Sequence, residues 1–425
     1  MRKLWIIAFV FIAGQKAQAQ ANEELNALIR GSFNYFPRIK ELNKAEELSE
    51  MRIELAQTGY LPAVNGAASY TYLNPISQKE FVVGPNETQL LKFQPYNNYN
   101  MNVGVTQLIW DFGKTKALVE KAKADLLASR QNAEGGKLQL ASQVAEIYYS
   151  MIYLKRVALL QDSVISFYES NFRMVEGKIR QGDALQIDLS TIRNNIDQEK
   201  NRKVEFMRLY ERQAALMRYS TGQSTDPGSD RFDFKATVTG DLANNPDVLA
   251  ANERISASRA DLKYTQANRL PSLNFQGGAG FRNGYQPDIA MNRFNYLAGL
   301  TLGVPIFQGG RLTKNHLLAS KSLELNELSK SALISTLQKD LESIRSDLKA
   351  YEEQVKNSTG QIDVANETVR LTQVRYKQGV ATYLDLINAS TNLQRANLNQ
   401  LQYEYQRALS QIELCRVLGV RFWQE

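Results

Sequence analysis

The chain repeats itself. Pro37 and Pro62 recur as Pro246 and Pro271, each 209 residues on. Around the second of each pair, Tyr60-Leu61-Pro62-Ala63-Val64-Asn65 corresponds to Arg269-Leu270-Pro271-Ser272-Leu273-Asn274. Further along the shift is 197: Ile109-Trp110-Asp111-Phe112-Gly113-Lys114 corresponds to Ile306-Phe307-Gln308-Gly309-Gly310-Arg311, and Gln181-Gly182 to Gln378-Gly379. A single register change of 12 residues between Pro62 and Ile109 reconciles the two shifts, so the first copy carries a longer loop at about 75–96. Internal repetition of this length points to a tandem duplication. The copies are expected at 20–220 and 244–425, joined by a linker at 221–243 that contains Asp226-Pro227-Gly228-Ser229.

Proline placement divides each copy. All ten prolines lie before residue 96 or between 227 and 305. Proline costs about 3 kcal/mol in a helix interior, so proline-free stretches rich in Ala, Leu, Glu, Lys, Gln and Arg permit very long helices. One is expected from about Gly113 to Arg180, roughly 100 Å at the α-helical rise, with Gly135-Gly136 as a possible interruption. A turn at Gln181-Gly182 then sends a second helix back to about Gly222, and the second copy turns at Gln378-Gly379. In the last helix Leu386, Ala389, Leu393 and Ala396 form a stripe at 3 and 4 spacing, continued by Tyr405, Ala408, Ile412 and Cys415.

The segments between the helices alternate with period two. Met101, Val103 and Val105 interleave with Asn100, Asn102, Gly104 and Thr106, and Ala298, Leu300, Leu302 and Val304 with Leu297, Gly299, Thr301 and Gly303. One apolar and one small or polar face fits a strand between lipid and water. Ser69–Tyr72 and Asn274–Gly277 are weaker candidates, giving two strands per copy. Four strands cannot close a transmembrane barrel, and open edges are not tolerated in lipid, so membrane strands of this chain would require several chains to share one barrel. Trp110 and Phe307 end the second strand of each copy. They suit an interfacial aromatic girdle, and equally packing at a strand–helix junction.

The N-terminus fits export. Met1-Arg2-Lys3, an apolar run from Leu4 to Gly14 and the small-x-small Ala17-Gln18-Ala19 read as a signal peptide over 1–19. No later stretch is long and apolar enough for a helical span. One cysteine, Cys415, and one histidine, His316, leave no disulfide and no His/Cys metal site, and no cofactor is expected. A catalytic triad would have to use His316, which sits in a polar helical context as a surface residue. Net charge is +7, without basic runs interleaved with aromatics, so nucleic acid is not an expected partner. Gly278–Gly284 lacks the lysine and the following helix of a phosphate loop and reads as a strand end with an external turn.

Signal peptide, duplication, two strands and a long helical hairpin per copy together resemble the TolC-like outer-membrane efflux protein family. The resemblance is carried by Asn245-Pro246, Leu270-Pro271-Ser272-Leu273, Pro305-Ile306-Phe307-Gln308-Gly309-Gly310 and the run Gln378–Leu386. It implies a mainly α fold with a β-barrel part: long helical hairpins forming an α-barrel, plus four strands per protomer in a shared 12-stranded transmembrane β-barrel of a homotrimer. It implies a non-enzymatic exit duct of the outer membrane with a large periplasmic part. The duct would serve a tripartite efflux or type I secretion system, with outer-membrane lipid, a periplasmic adaptor and an inner-membrane pump as partners. The competing reading is a periplasmic coiled-coil scaffold or adaptor without a pore.

Carried over position by position, the resemblance makes Tyr376, Asp188 and Asp385 a periplasmic gate, and Gln181, Gly182, Leu185, Gln378 and Gly379 adaptor-docking tips. Ala381 and Asn388 stand where the family pattern has an arginine and a second aspartate, which thins the charged part of the gate. Each gate residue has a structural alternative. Asp188 and Asp385 fall in the first turns of helices, where carboxylates favour the macrodipole, and Thr382-x-x-Asp385 resembles a capping box. Tyr376 would serve equally in interhelical packing.

Overall fold

A computed structural model describes residues 23–85, 87–234 and 240–424; the expected signal peptide lies outside the described residues. Helix α1 covers 23–35 and α2 covers Pro37–Gln57. The break at Phe36 follows from the clash a proline ring imposes on the residue before it, while Pro37 suits a first helical turn. Strand β1 (Ala63–Tyr72) leads into a hairpin of β2 (Gln78–Gly84) and β3 (Glu87–Lys92), and β4 (Asn97–Trp110) returns. Helices α3 (Lys114–Gln181) and α4 (Gln186–Thr221) follow, then α5 (Pro246–Ala267), β5 (Ser272–Arg282), β6 (Arg293–Gly303), α6 (Arg311–Lys377) and α7 (Tyr383–Leu418). The longer loop expected at about 75–96 contains the β2–β3 hairpin.

The chain divides into two compact units, each drawing on both sequence copies. One comprises Glu46–Ser129 and Ala251–Ser329. It holds a four-stranded antiparallel sheet in the order β1-β4-β5-β6. Its helical part joins the N-terminal section of α3 to α5 and α6. Ala117, Ala124, Ala128, Ala257, Ala260 and Ala319 are buried there, and small side chains let helices approach closely. Lys121 bonds Asp261 at 2.7 Å, and Asn326 donates to Ser258 at 2.7 Å. His316, expected on the surface, is half-buried, with Nδ1 3.4 Å from Thr265 Oγ1. Gly280 accepts no side chain: an added Cβ would lie 2.1 Å from the Met101 carbonyl oxygen.

The other unit comprises the described residues of Met1–Ala45, with Arg130–Ala250 and Lys330–Glu425. Its main core gathers Ile29, Ile39, Val144, Tyr148, Met151, Ile412 and Cys415. The described part of the 221–243 segment packs into it through Phe232 and Phe234. Helix α3 runs unbroken through Gly135-Gly136 for 68 residues. The glycines serve close packing there, since a Cβ on Gly136 would sit 2.3 Å from Leu42 Cδ1. The Asn245-Pro246 pair also has a physical account. Asn245 Oδ1 accepts from Asp247 N at 2.8 Å to cap α5, while its amide donates to the Val417 carbonyl at 2.9 Å. On α7, Leu386, Ala389, Ala396, Ala408, Ile412 and Cys415 are buried as their spacing predicts, whereas Leu393 is only half-buried and its neighbour Gln394 is buried.

Candidate functional site

The two helix-to-helix turns have the same construction. Gly182 and Gly379 adopt φ of 85° and 76°. Asp183 N donates to Lys178 O at 2.9 Å, and Val380 N to Arg375 O at 2.9 Å. These are six-residue closures around a left-handed glycine, which satisfy carbonyls at a helix C-terminus. A Cβ at either glycine would meet nothing within 4 Å, so the backbone conformation alone selects glycine. The turns leave apolar side chains in solvent: Leu185 is 68% exposed, and Ile187, Val380 and Leu384 are similarly bare. Gln181 and Gln378 are exposed beside them.

Beneath the turns lies a second core cluster of Val164, Tyr168, Val175, Ile192, Ile196, Tyr376, Tyr383 and Leu386. Tyr376 is only 6% exposed within its own chain. Its ring stands 5.9 Å from that of Tyr383, and Lys178 Nζ lies 4.3 Å from its centroid, a cation–π distance. Lys178 Nζ also donates to the Tyr376 carbonyl at 3.0 Å. Burial, and then the nearby Asp188 carboxylate, push the Tyr376 phenol above its ordinary pKa. Tyr376 and Asp188 therefore share one local environment, with no hydrogen bond between them.

The carboxylates are also engaged locally. Asp188 Oδ2 accepts from Leu185 N at 3.3 Å, the return arm of a capping box whose N-cap leucine has no side-chain acceptor. Asp385 sits in a full box: its carboxylate accepts from Thr382 N at 2.9 Å and Thr382 Oγ1 at 2.7 Å, and Asp385 N donates to Thr382 Oγ1 at 3.2 Å. The Thr382 hydroxyl and backbone hold its carboxyl below the usual range. Asp385 is thus turned onto its own helix start rather than onto Tyr376. Ala381 is partly buried against the cluster and Asn388 is exposed.

One polar centre was missed from sequence. Glu199 on α4 is 5% exposed. Its carboxylate accepts from Gln161 on α3, from Gln394 on α7 at 3.2 Å and from Arg202 at 2.8 Å. The available signal was a glutamine at position 394 beside an apolar stripe, where a buried amide needs a partner.

Register fixes the faces of the sheet. Gly66, Val103, Ala279 and Tyr296 lie abreast, as do Ala68, Met101, Phe281 and Phe294. This face also carries Val64, Leu300 and Leu302, which like Met101, Val103, Phe281, Phe294 and Tyr296 are exposed, and the half-buried Val105. The opposite face carries Asn65, Ser69, Asn100, Asn102, Thr106, Asn274, Gln276, Asn295 and Thr301. A solvent-exposed apolar face this broad requires a nonaqueous neighbour. Trp110 ends β4 as expected and is 59% exposed with its ring 6.0 Å from that of Phe112, whereas Phe307, expected at a strand end, lies beyond Gly303 in the β6–α6 connection and is 86% exposed. The adjoining Asp111 caps α3, accepting from Thr115 N at 2.7 Å. Among the described residues no helix is long and apolar enough to cross a membrane, and no cluster of three His, Cys, Asp or Glu could hold a metal ion.

Known proteins match this architecture. The chain is 22% identical over 410 residues to the toluene efflux pump outer membrane protein TtgC of Pseudomonas putida, covering 91% of this chain and 81% of that protein. It is 23% identical over 366 residues to nodulation protein T of Rhizobium leguminosarum, covering 82% and 75%. Among solved structures, the outer membrane protein VceC of Vibrio cholerae superposes with a TM-score of 0.79 at 15% identity, covering 93% of this chain and 96% of that one. The outer-membrane channel OprN superposes with a TM-score of 0.80 at 16% identity, covering 96% and 93%. The sequence profile of the outer membrane efflux protein family matches residues 36–223 and 241–420, so the chain belongs to that family.

Proposed function

We propose that the protein is the outer-membrane exit duct of a tripartite efflux or type I secretion assembly, working as a homotrimer. The observation that carries this reading is the open sheet with one apolar and one polar face. In lipid its β1 and β6 edges must be paired, and four strands do not close a barrel. Three copies would supply twelve strands, apolar faces outward and polar faces lining water. Exposed leucines on α6, among them Leu318, Leu325 and Leu328, support further contact between copies.

On this reading the turns at Gly182 and Gly379 are the periplasmic tips, where Leu185, Gln181 and Gln378 meet an adaptor protein. Cargo arrives from an inner-membrane pump that supplies the energy. Tyr376 and Asp188 hold the tip closed, with Asp385 adding three-fold negative charge near the axis. Trp110 and Phe307 mark the membrane interface. The leader at 1–19 directs export, and the two copies, 20–220 and 244–425, arose by duplication around the 221–243 segment. In its support, Phe112 and Gly113 at the start of the first long hairpin share positive φ with Gly309 and Gly310, 197 residues on.

Single-channel conductance in a planar bilayer tests the reading, wild type beside Asp188→Ala/Tyr376→Phe. Small wild-type currents that rise in the double variant are expected. Unchanged currents would keep the duct and remove the gate assignment. Protein that stays soluble without detergent and never inserts would favour the pore-free scaffold.

A further inference from the structure

The four strands of the main sheet are almost free of charge. Reading β1, β4, β5 and β6 end to end, the only ionisable acidic or basic side chains are Arg282 and Arg293. The register sets them directly opposite each other at the end of the sheet where β5 turns into β6. Arg282 also faces Asn100 across β4, so both arginines belong to the polar face.

Two like charges abreast on neighbouring strands repel. A carboxylate partner would relieve this, and neither arginine has one among the described residues. Arg293 Nη1 donates to the Gln286 carbonyl at 3.1 Å, and the Arg282 guanidinium lies 5.5 Å from the Tyr285 ring centroid. These contacts hold the side chains in place and leave their charge uncompensated. The connecting turn contributes one carboxylate, Asp288, which accepts from Ala290 N at 3.0 Å in its own turn. The adjacent 75–96 loop carries Lys79, Lys92, Glu80 and Glu87, which cancel.

We infer that Arg282 and Arg293 form an anion-selective collar at the loop end of the pore, favouring solutes that bear phosphate or carboxylate groups. The inference rests on the shared-barrel reading, under which three copies bring six guanidinium groups around one opening. Guanidinium forks match the geometry of phosphate and carboxylate oxygens. A cleft lined by one sign of charge concentrates the opposite ion, and the effect fades as salt shortens the screening length from about 10 Å at 0.1 M to about 3 Å at 1 M.

The test uses the full-length protein in planar bilayers, with inositol hexakisphosphate as a polyanionic blocker added to one side at a time. Wild-type channels should be blocked from the loop side, more strongly at low salt than at high. Arg282→Gln/Arg293→Gln should raise the half-blocking concentration by about ten-fold or more, the lower end of what a charged cleft contributes. Arg282→Lys/Arg293→Lys should retain most of the block, which separates loss of charge from loss of folding. Block unaffected by the glutamine pair, or equal from both sides, overturns the collar while leaving the pore intact. Wild-type protein that forms no channel overturns the pore reading and the collar with it.

Discussion

Glu199 is the residue whose role depends most on partners far away in sequence. Its carboxylate is shared by Gln161 and Gln394, both buried, from two other helices. Removing the carboxylate takes the acceptor from the Gln394 amide and leaves Gln161 only the Glu199 backbone carbonyl at 3.2 Å, and an unsatisfied buried group costs about 1–3 kcal/mol. Glu199→Ala should therefore lower the thermal midpoint of the detergent-solubilised protein well beyond Glu199→Gln, which preserves one acceptor. Equal midpoints for the two variants would mean that the amides find other partners. The stripe expected through Leu393 leaves position 394 out, because hydrophobicity cannot register a residue buried by hydrogen bonding. The capping role of Asp385 was legible, since Thr382-x-x-Asp385 is a local pattern and local patterns survive tertiary context. Tyr376 was placed by spacing from Gly379 alone. Its burial beside Tyr383 and Lys178 depends on three helices meeting, which no spacing reveals.

At the scale of elements, the long helices and their turns were the most legible part. Proline exclusion and the Gly182 and Gly379 positions fixed their existence, and the ends fell within a residue or two. Gly135-Gly136 was read as a possible break because glycine lowers helix propensity. The structure keeps the helix whole, and Leu42 occupies the space a side chain would need. The β2–β3 hairpin was missed because its register with the repeat is lost: the second copy has no counterpart to compare. The turn glycines give a symmetrical prediction. Gly182→Ala and Gly379→Ala each force an L residue into a left-handed conformation, costing roughly 1–2 kcal/mol per site. Hydrogen exchange should quicken over the last turn of α3 in the first variant and of α6 in the second, with the sheet unaffected. Protection that is unchanged at both turns would show that the turns tolerate another backbone path.

For the whole molecule, the alternation in 100–106 and 297–304 was enough to predict which sheet face is apolar, and counting strands led to the expectation that membrane strands of this chain need partners. The number of partners was not countable from one chain; it came from resemblance, and the trimer is a proposal. Sedimentation or light scattering of the detergent-purified protein should give three copies of the chain per particle, after subtraction of the detergent. A monodisperse monomer would remove the shared barrel. Family membership makes the protein an outer-membrane efflux component rather than an enzyme. That also explains why a single histidine and scattered carboxylates gave no catalytic constellation to find.

The unpaired β1 and β6 edges have a consequence for biogenesis. If the barrel closes only when neighbours supply the missing ladders, a newly exported chain has no finished membrane-compatible form of its own. Folding, oligomer assembly and insertion then become a single event that depends steeply on the local supply of unfinished chains. Until partners arrive, each chain offers two open strand edges and a wide greasy face, the combination most prone to aggregate. Such a chain would need a holding chaperone during transit, and a modest fall in synthesis would reduce the number of finished ducts more than in proportion.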